Sequence, residues 1–156
     1  MVGVVLDNLR SALNVGAIFR TADALGVDRI YLCGTTPRPG QAGRAGKDLA
    51  KTALGAERAV PWEYHCYCSR AVERLRSQKV FLIGLEQNRQ AIEITRFNPP
   101  KDYALVLGSE IKGVAKRVLA RCDKIIYIPM TGKKESLNVS VAFGVAGYFL
   151  KFKQRC

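Results

Sequence analysis

The sequence predicts an α/β domain: a mostly parallel sheet with helices on both faces. Three observations predict it. Short apolar runs alternate with stretches of helical periodicity along the whole chain. Two of the runs, residues 80–85 and 103–107, are apolar almost throughout, as strands covered from both sides must be. The chain has 156 residues, 48% of them hydrophobic, which is enough for one domain with a proper core. No repeat, low-complexity tract or composition break divides it, so a single domain over residues 1–156 is expected.

Each element has its own signal. Residues 2–6 read as a first strand. Val15, Ile18, Phe19, Ala22 and Leu25 then share one face of a helix that Gly26 ends. Residues 29–32 form the next strand, and residues 34–46 a loop rich in Gly, Pro and Arg. A short helix over 47–54 and a weak strand over 60–64 follow. Residues 69–78 are helical, with Ser69 as N-cap. The strand over 80–85 leads to a minor extended piece at 91–94 and a break at Asn98-Pro99-Pro100. After the strand at 103–107, residues 112–122 read as a helix with Val114, Val118 and Leu119 inward. A strand at 125–128 precedes a last helix from residue 138 to about 153. Apolar residues surround most of that helix, so it needs cover on more than one face, and a second subunit is one way to supply it.

Charge narrows the function. There are 25 Lys and Arg against 13 Asp and Glu, a net +12, which favours a polyanionic partner because each neutralised phosphate releases counterions. No apolar run approaches a membrane span, and residues 1–6 lack the basic leader and cleavage site of a signal peptide, so the cytoplasm is expected. Five cysteines without paired spacing argue against a disulfide framework. His65, Cys66 and Cys68 have no second cluster to complete a zinc site, so no metal is expected.

A parallel sheet binds ligands beyond the carboxyl ends of its strands. The strand ends that matter are Leu85-Glu86, Leu107-Gly108 and Ile128-Pro129-Met130. No G-x-G-x-x-G follows the first strand, which disfavours an ordinary dinucleotide fold. Asn14 is placed to cap the first helix or to hold Arg20, and Arg20, on a largely apolar helix, needs a partner such as Glu110 or Asp23. Glu110 is placed to cap a helix starting near Lys112. Ser136 or Asn138 caps the last helix.

Three segments stand in a telling order: N-L-R-S-A-L-N-V-G-A-I-F-R-T-A from Asn8, L-V-L-G-S-E-I-K-G-V from Leu105, and I-P-M-T-G-K-K-E-S-L-N-V-S-V-A from Ile128. In that order they resemble the three motifs of the SpoU (TrmH-like) family of SPOUT RNA 2′-O-methyltransferases, over nearly the whole chain. The resemblance implies a deep C-terminal trefoil knot and S-adenosylmethionine as cofactor. It implies cofactor contacts at Leu85, Glu86, Gly108, Ile128 and Leu137, and a catalytic set of Arg20, Asn14, Glu110, Ser136 and Asn138. It implies a homodimer through the last helix. Lys133 and Lys134, in the loop of the third motif, suit phosphate contact, and Arg38, Arg44, Lys47 and Lys51 could form a basic rim for RNA. The expected activity is ribose 2′-O-methylation of structured RNA, tRNA first, ribosomal RNA second, with no separate RNA-binding domain. A non-catalytic RNA-binding protein and a small-substrate enzyme are the other readings; the complete polar set opposes the former and the +12 charge the latter.

Overall fold

The computed structural model describes residues 1–153. Seven strands, β1 (Val2–Asp7), β2 (Arg29–Cys33), β3 (Trp62–His65), β4 (Phe81–Leu85), β5 (Ile92–Glu93), β6 (Tyr103–Gly108) and β7 (Lys124–Tyr127), form one sheet in the order β3-β2-β1-β6-β4-β7-β5. Every pairing is parallel. All carboxyl ends therefore lie on one edge, where the motif residues collect. Helices α1 (Ala12–Ala24), α2 (Arg44–Ala53), α3 (Ala56–Ala59), α4 (Cys68–Ser77), α5 (Lys116–Leu119) and α6 (Val139–Lys153) complete the fold.

The pleat divides the core in two. On β1, Val4 and Leu6 enter one cluster and Val5 the other; on β6, Leu105 and Leu107 part from Ala104 and Val106 in the same way. Val4 pairs with Leu105 and Val5 with Val106, so the layers stay in step across the sheet. The first cluster takes Ile18 and Phe19 of α1, Leu49 of α2 and Phe143 of α6; the second takes Val72 and Leu75 of α4 and Val118 of α5. Both faces are covered, as the sequence predicts, and this is why the central strands carry no polar alternation.

Helix α1 packs on α2 at Gly16. A Cβ there would overlap Thr52 Oγ1 and the Leu49 carbonyl, and Thr52 Oγ1 donates to the Leu13 carbonyl at 2.9 Å across the same seam. Gly16→Ala is expected to destabilise the fold. Alanine's better helix propensity is worth about 1 kcal/mol, whereas overpacking costs about 1–3 kcal/mol, and a backbone carbonyl cannot swing aside. A urea midpoint equal to or above the parent's would contradict this close crossing.

Several boundaries differ from the sequence expectation. The helix expected over 112–122 shrinks to α5, because residues 109–113 close a hairpin and delay its start to Lys116. Helix α4 begins at Cys68 with Tyr67 at the N-cap, so Ser69 lies inside the first turn. Helix α2 begins at Arg44, three residues before the expected start, and α3 was not foreseen. The piece at 91–94 is a two-residue edge strand leading into a 3-10 turn, Ile94–Arg96.

Candidate active site at the carboxyl edge of the sheet

A cavity of about 630 Å³ opens at the ends of β4, β6 and β7 and is closed by the segment entering α6. Leu85, Glu86, Gly108, Ile128 and Leu137 all line it, together with Glu110, Ser136 and Asn138. Its lining combines apolar Leu85, Ile128 and Leu137 with three acidic residues, Glu86, Glu110 and Glu135, and one basic residue, Lys112. In a chain of net +12 this local acidity is an inversion, and it suits a ligand bearing positive charge.

A hairpin forms one wall. Ser109 and Gly113 exchange backbone hydrogen bonds at 3.1 and 2.9 Å, with Glu110, Ile111 and Lys112 at the tip. Gly113 has φ +64°, and a Cβ there would strike the Glu86 carboxylate. That carboxylate accepts from Val114 N–H at 2.9 Å and so braces the hairpin against the end of β4.

Glu110 does not cap the helix that follows it. Its carboxylate reaches back to the start of α1, accepting from the backbone N–H groups of Arg10 (3.1 Å) and Ser11 (3.2 Å) and from Asn14 Nδ2 (3.0 Å). Partial burial by itself would push this carboxyl up. The hydrogen bonds from its own backbone N–H, Asn14, Arg10 and Ser11 outweigh it and hold the group below the usual carboxylate range. Ser11, not Asn14, is the N-cap of α1, accepting from Asn14 N–H at 3.2 Å. Asn14 is thereby freed: its oxygen accepts from Asn138 Nδ2 at 3.1 Å while its amide donates to Glu110. Asn138 in turn caps α6, its oxygen accepting from Ser140 N–H at 2.9 Å. One hydrogen-bonded chain, Asn138 to Asn14 to Glu110, thus joins the three sequence motifs at the cavity mouth.

Arg20 stands apart. It is exposed, forms no ion pair with Glu110, Asp23 or any other carboxylate among the described residues, and does not line the cofactor-sized cavity. Six residues after Asn14, it has turned to another side of α1. It borders an open depression of about 650 Å³ between α1, α2 and α6, with Lys51, Thr52, Gly144 and Tyr148. Ala142 lines the cavity and Gly144 and Tyr148 the depression, so α6 runs past both.

The remaining basic residues are spread over the surface. Arg38 lies over the Tyr64 ring at 4.2 Å. Arg44 pairs with Asp48 at 3.4 Å, and Lys47 and Lys51 are exposed on α2. Lys133 and Lys134 are exposed in the loop that also carries Ser136 and Leu137. Asp7, the last residue of β1, is a further polar group at this edge of the sheet. It is only 2% exposed and accepts from Ala115 N–H at 3.1 Å and Asn8 Nδ2 at 2.8 Å. A carboxylate closing an apolar strand was the signal available for it. Cys68 is buried against Cys33, whose hydrogen bond, with burial second, pushes the Cys68 thiol well up; Cys66 is exposed, and Cys156 lies outside the described residues. Among the described residues no helix is long and apolar enough to cross a membrane.

The family model for the SpoU rRNA Methylase family matches residues 1–148. This chain belongs to that family. Among SpoU relatives it is 32% identical over 142 residues to the 23S rRNA (guanosine-2′-O-)-methyltransferase RlmB of Neisseria meningitidis, covering 91% of this chain and 54% of that protein. The chain thus spans about half the length of the curated relatives it matches. A solved structure reported as structural insights into the 2-OH methylation of C/U34 on tRNA is 28% identical, with a TM-score of 0.83, and the match covers 99% of this chain and 96% of that one. The SpoU methyltransferase AviRb of Streptomyces viridochromogenes, in complex with AdoMet, shares the fold at a TM-score of 0.86 and 22% identity, covering 98% of this chain and 60% of that one.

Proposed function

We propose that this SpoU-family chain is an S-adenosylmethionine-dependent RNA 2′-O-ribose methyltransferase, with tRNA as substrate. The observation that carries the reading is the Asn138–Asn14–Glu110 chain. It ties three segments far apart in sequence to the mouth of one cavity, which packing of the core does not require. The cavity fits the cofactor: its volume of about 630 Å³ suits a ligand of that size. Leu85, Ile128 and Leu137 would pack an adenine ring, and Glu86, Glu110 and Glu135 complement a cationic sulfonium. When bound, S-adenosylmethionine supplies a methyl group on a good leaving group. The protein's part is then to orient the ribose and stabilise the oxygen as it loses its proton. Asn138 and Ser136 align the sugar through short uncharged groups. Arg20 grips the phosphate or the developing alkoxide; its guanidinium stays protonated and does not act as a base.

Arg20 lies outside the cavity of its own chain, so we place it in the site of a second copy. Val141, Val145, Tyr148 and Phe152 leave an apolar strip exposed on α6, an unusual surface for a helix with a covered inner face. A homodimer two-fold across this strip carries the Arg20 depression of one copy to the neighbouring cavity mouth. The C-terminal segment from Ile128 to Asn138 is read as threaded into the trefoil knot, consistent with its closure over the loops of β4 and β6. The whole reads as one catalytic domain working in the cytoplasm, with RNA held by Arg38, Arg44, Lys47, Lys51, Lys133 and Lys134.

The solved tRNA-related structure matched at 96% of its length favours tRNA; the relatives named for ribosomal RNA support the second reading, at about half their length. Calorimetry with S-adenosylmethionine is the first test, followed by transfer of labelled methyl from the cofactor to total RNA and mapping of the protected 2′-oxygens. Binding and a mapped tRNA ribose are expected. Absence of cofactor binding would leave the non-catalytic reading in its place.

A further inference from the structure

A second cavity, of about 590 Å³, adjoins the first, with the 109–113 hairpin as the wall between them: Ser109, Ile111, Lys112 and Gly113 line both. Its floor is polar and held in place. Asn8 sits in the left-handed region at φ 58°, uncommon for a residue with a side chain. Its oxygen accepts from Thr35 N–H at 3.1 Å and its amide donates to the buried Asp7 at 2.8 Å. Strain of this kind persists where the surroundings fix it, and it gathers at ligand sites. At the rim, Arg10 and Lys112 are exposed, and neither pairs with a carboxylate among the described residues. Ile111, at the hairpin tip, is 72% exposed. An apolar tip standing between two cavities, with cations beside it, is how proteins part adjacent bases: the side chain replaces a stacking partner and the cations hold the phosphate.

We propose that the 109–113 hairpin is a wedge that parts two consecutive nucleotides of single-stranded RNA. The nucleotide to be methylated reaches the mouth of the cofactor cavity. Its neighbour enters the second cavity, over the Asn8 and Thr35 floor, and Arg10 and Lys112 hold the intervening phosphate. This rests on the methyltransferase reading and adds to it a subsite for a nucleotide that does not react.

The test uses the full chain and the tRNA transcript it methylates, with 2-aminopurine placed on either side of the mapped nucleotide. Binding is expected to raise the fluorescence at one of the two flanking positions, and Ile111→Ala to abolish that rise. Arg10→Ala is expected to raise KM for the transcript about tenfold and to lower the salt slope of binding by about 1, with S-adenosylmethionine affinity unchanged. Arg10→Lys is expected to recover part of the KM. Wild-type KM and an unaltered fluorescence rise in both alanine variants would overturn the wedge and leave the methyltransferase reading standing. A second S-adenosylmethionine bound per chain would overturn it too, by filling the second cavity with a different ligand. A parent protein that neither binds the cofactor nor methylates RNA would remove both.

Discussion

Arg20→Ala is expected to lower kcat for RNA methylation by about 10²–10³-fold, the effect of deleting one preorganised donor to developing negative charge. Cofactor affinity should hold, because Arg20 does not line the cofactor cavity of its own chain. Arg20→Lys keeps the charge but loses the planar fork, so it should recover only part of the rate. The stronger form of the experiment is a mixture. If Arg20 serves the site of a second copy, the lesions of an Arg20→Ala chain and a Glu110→Ala chain fall in the same site when the two chains pair. Each mixed dimer then has one intact site and one doubly damaged site. An equal mixture of the two inactive proteins, unfolded and refolded together, should regain roughly a quarter of wild-type activity. No recovery from a mixture that demonstrably forms mixed dimers would return Arg20 to its own chain, where the geometry gives it no route to the cavity.

Glu110→Ala is expected to cost activity on a similar scale, for a different reason. It strips the acceptor from two backbone N–H groups and from Asn14 at once, and the N-terminus of α1 loses a favourable anion. Glu110→Gln keeps the shape and one carbonyl acceptor, so it should rank between. The acid limb of the stability profile carries the same information. The folded-state pKa of Glu110 is lowered, so the ionised form is favoured by folding. Its stabilisation is fully present above the ordinary carboxylate pKa and is lost as pH falls through the lower, folded value. The parent should therefore lose stability on acidification more steeply than Glu110→Gln. Parallel profiles for the two would show that the carboxylate contributes nothing to holding α1.

Much of this was readable from residues alone. The strands at 80–85 and 103–107 announced a doubly covered sheet because burial on both faces leaves no place for polar alternation. All five residues that the resemblance implies as cofactor contacts line one cavity; Leu85, Glu86, Gly108 and Ile128 stand at strand ends, and Leu137 in the segment that enters α6. What was missed depended on distant partners. Glu110 looks like a cap for its own helix until the tight turn at Gly113 bends it away and the start of α1, a hundred residues earlier, offers its N–H groups. Asn14 looks like a cap because Ser11, three residues before it, is an equally good one; only the fold chooses. The sequence offers Glu110 and Asp23 as partners for Arg20, but among the described residues it pairs with neither, because Glu110 turns to the start of α1.

The link from Asn138 through Asn14 to Glu110 spans 124 and 96 positions along the chain. A nascent polypeptide emerging from the ribosome therefore has no closed pocket until α6 has left the exit tunnel. The earlier strands must find one another first and wait. Such long-range parallel pairing is slow to form, so the pocket is among the last features the folding chain acquires.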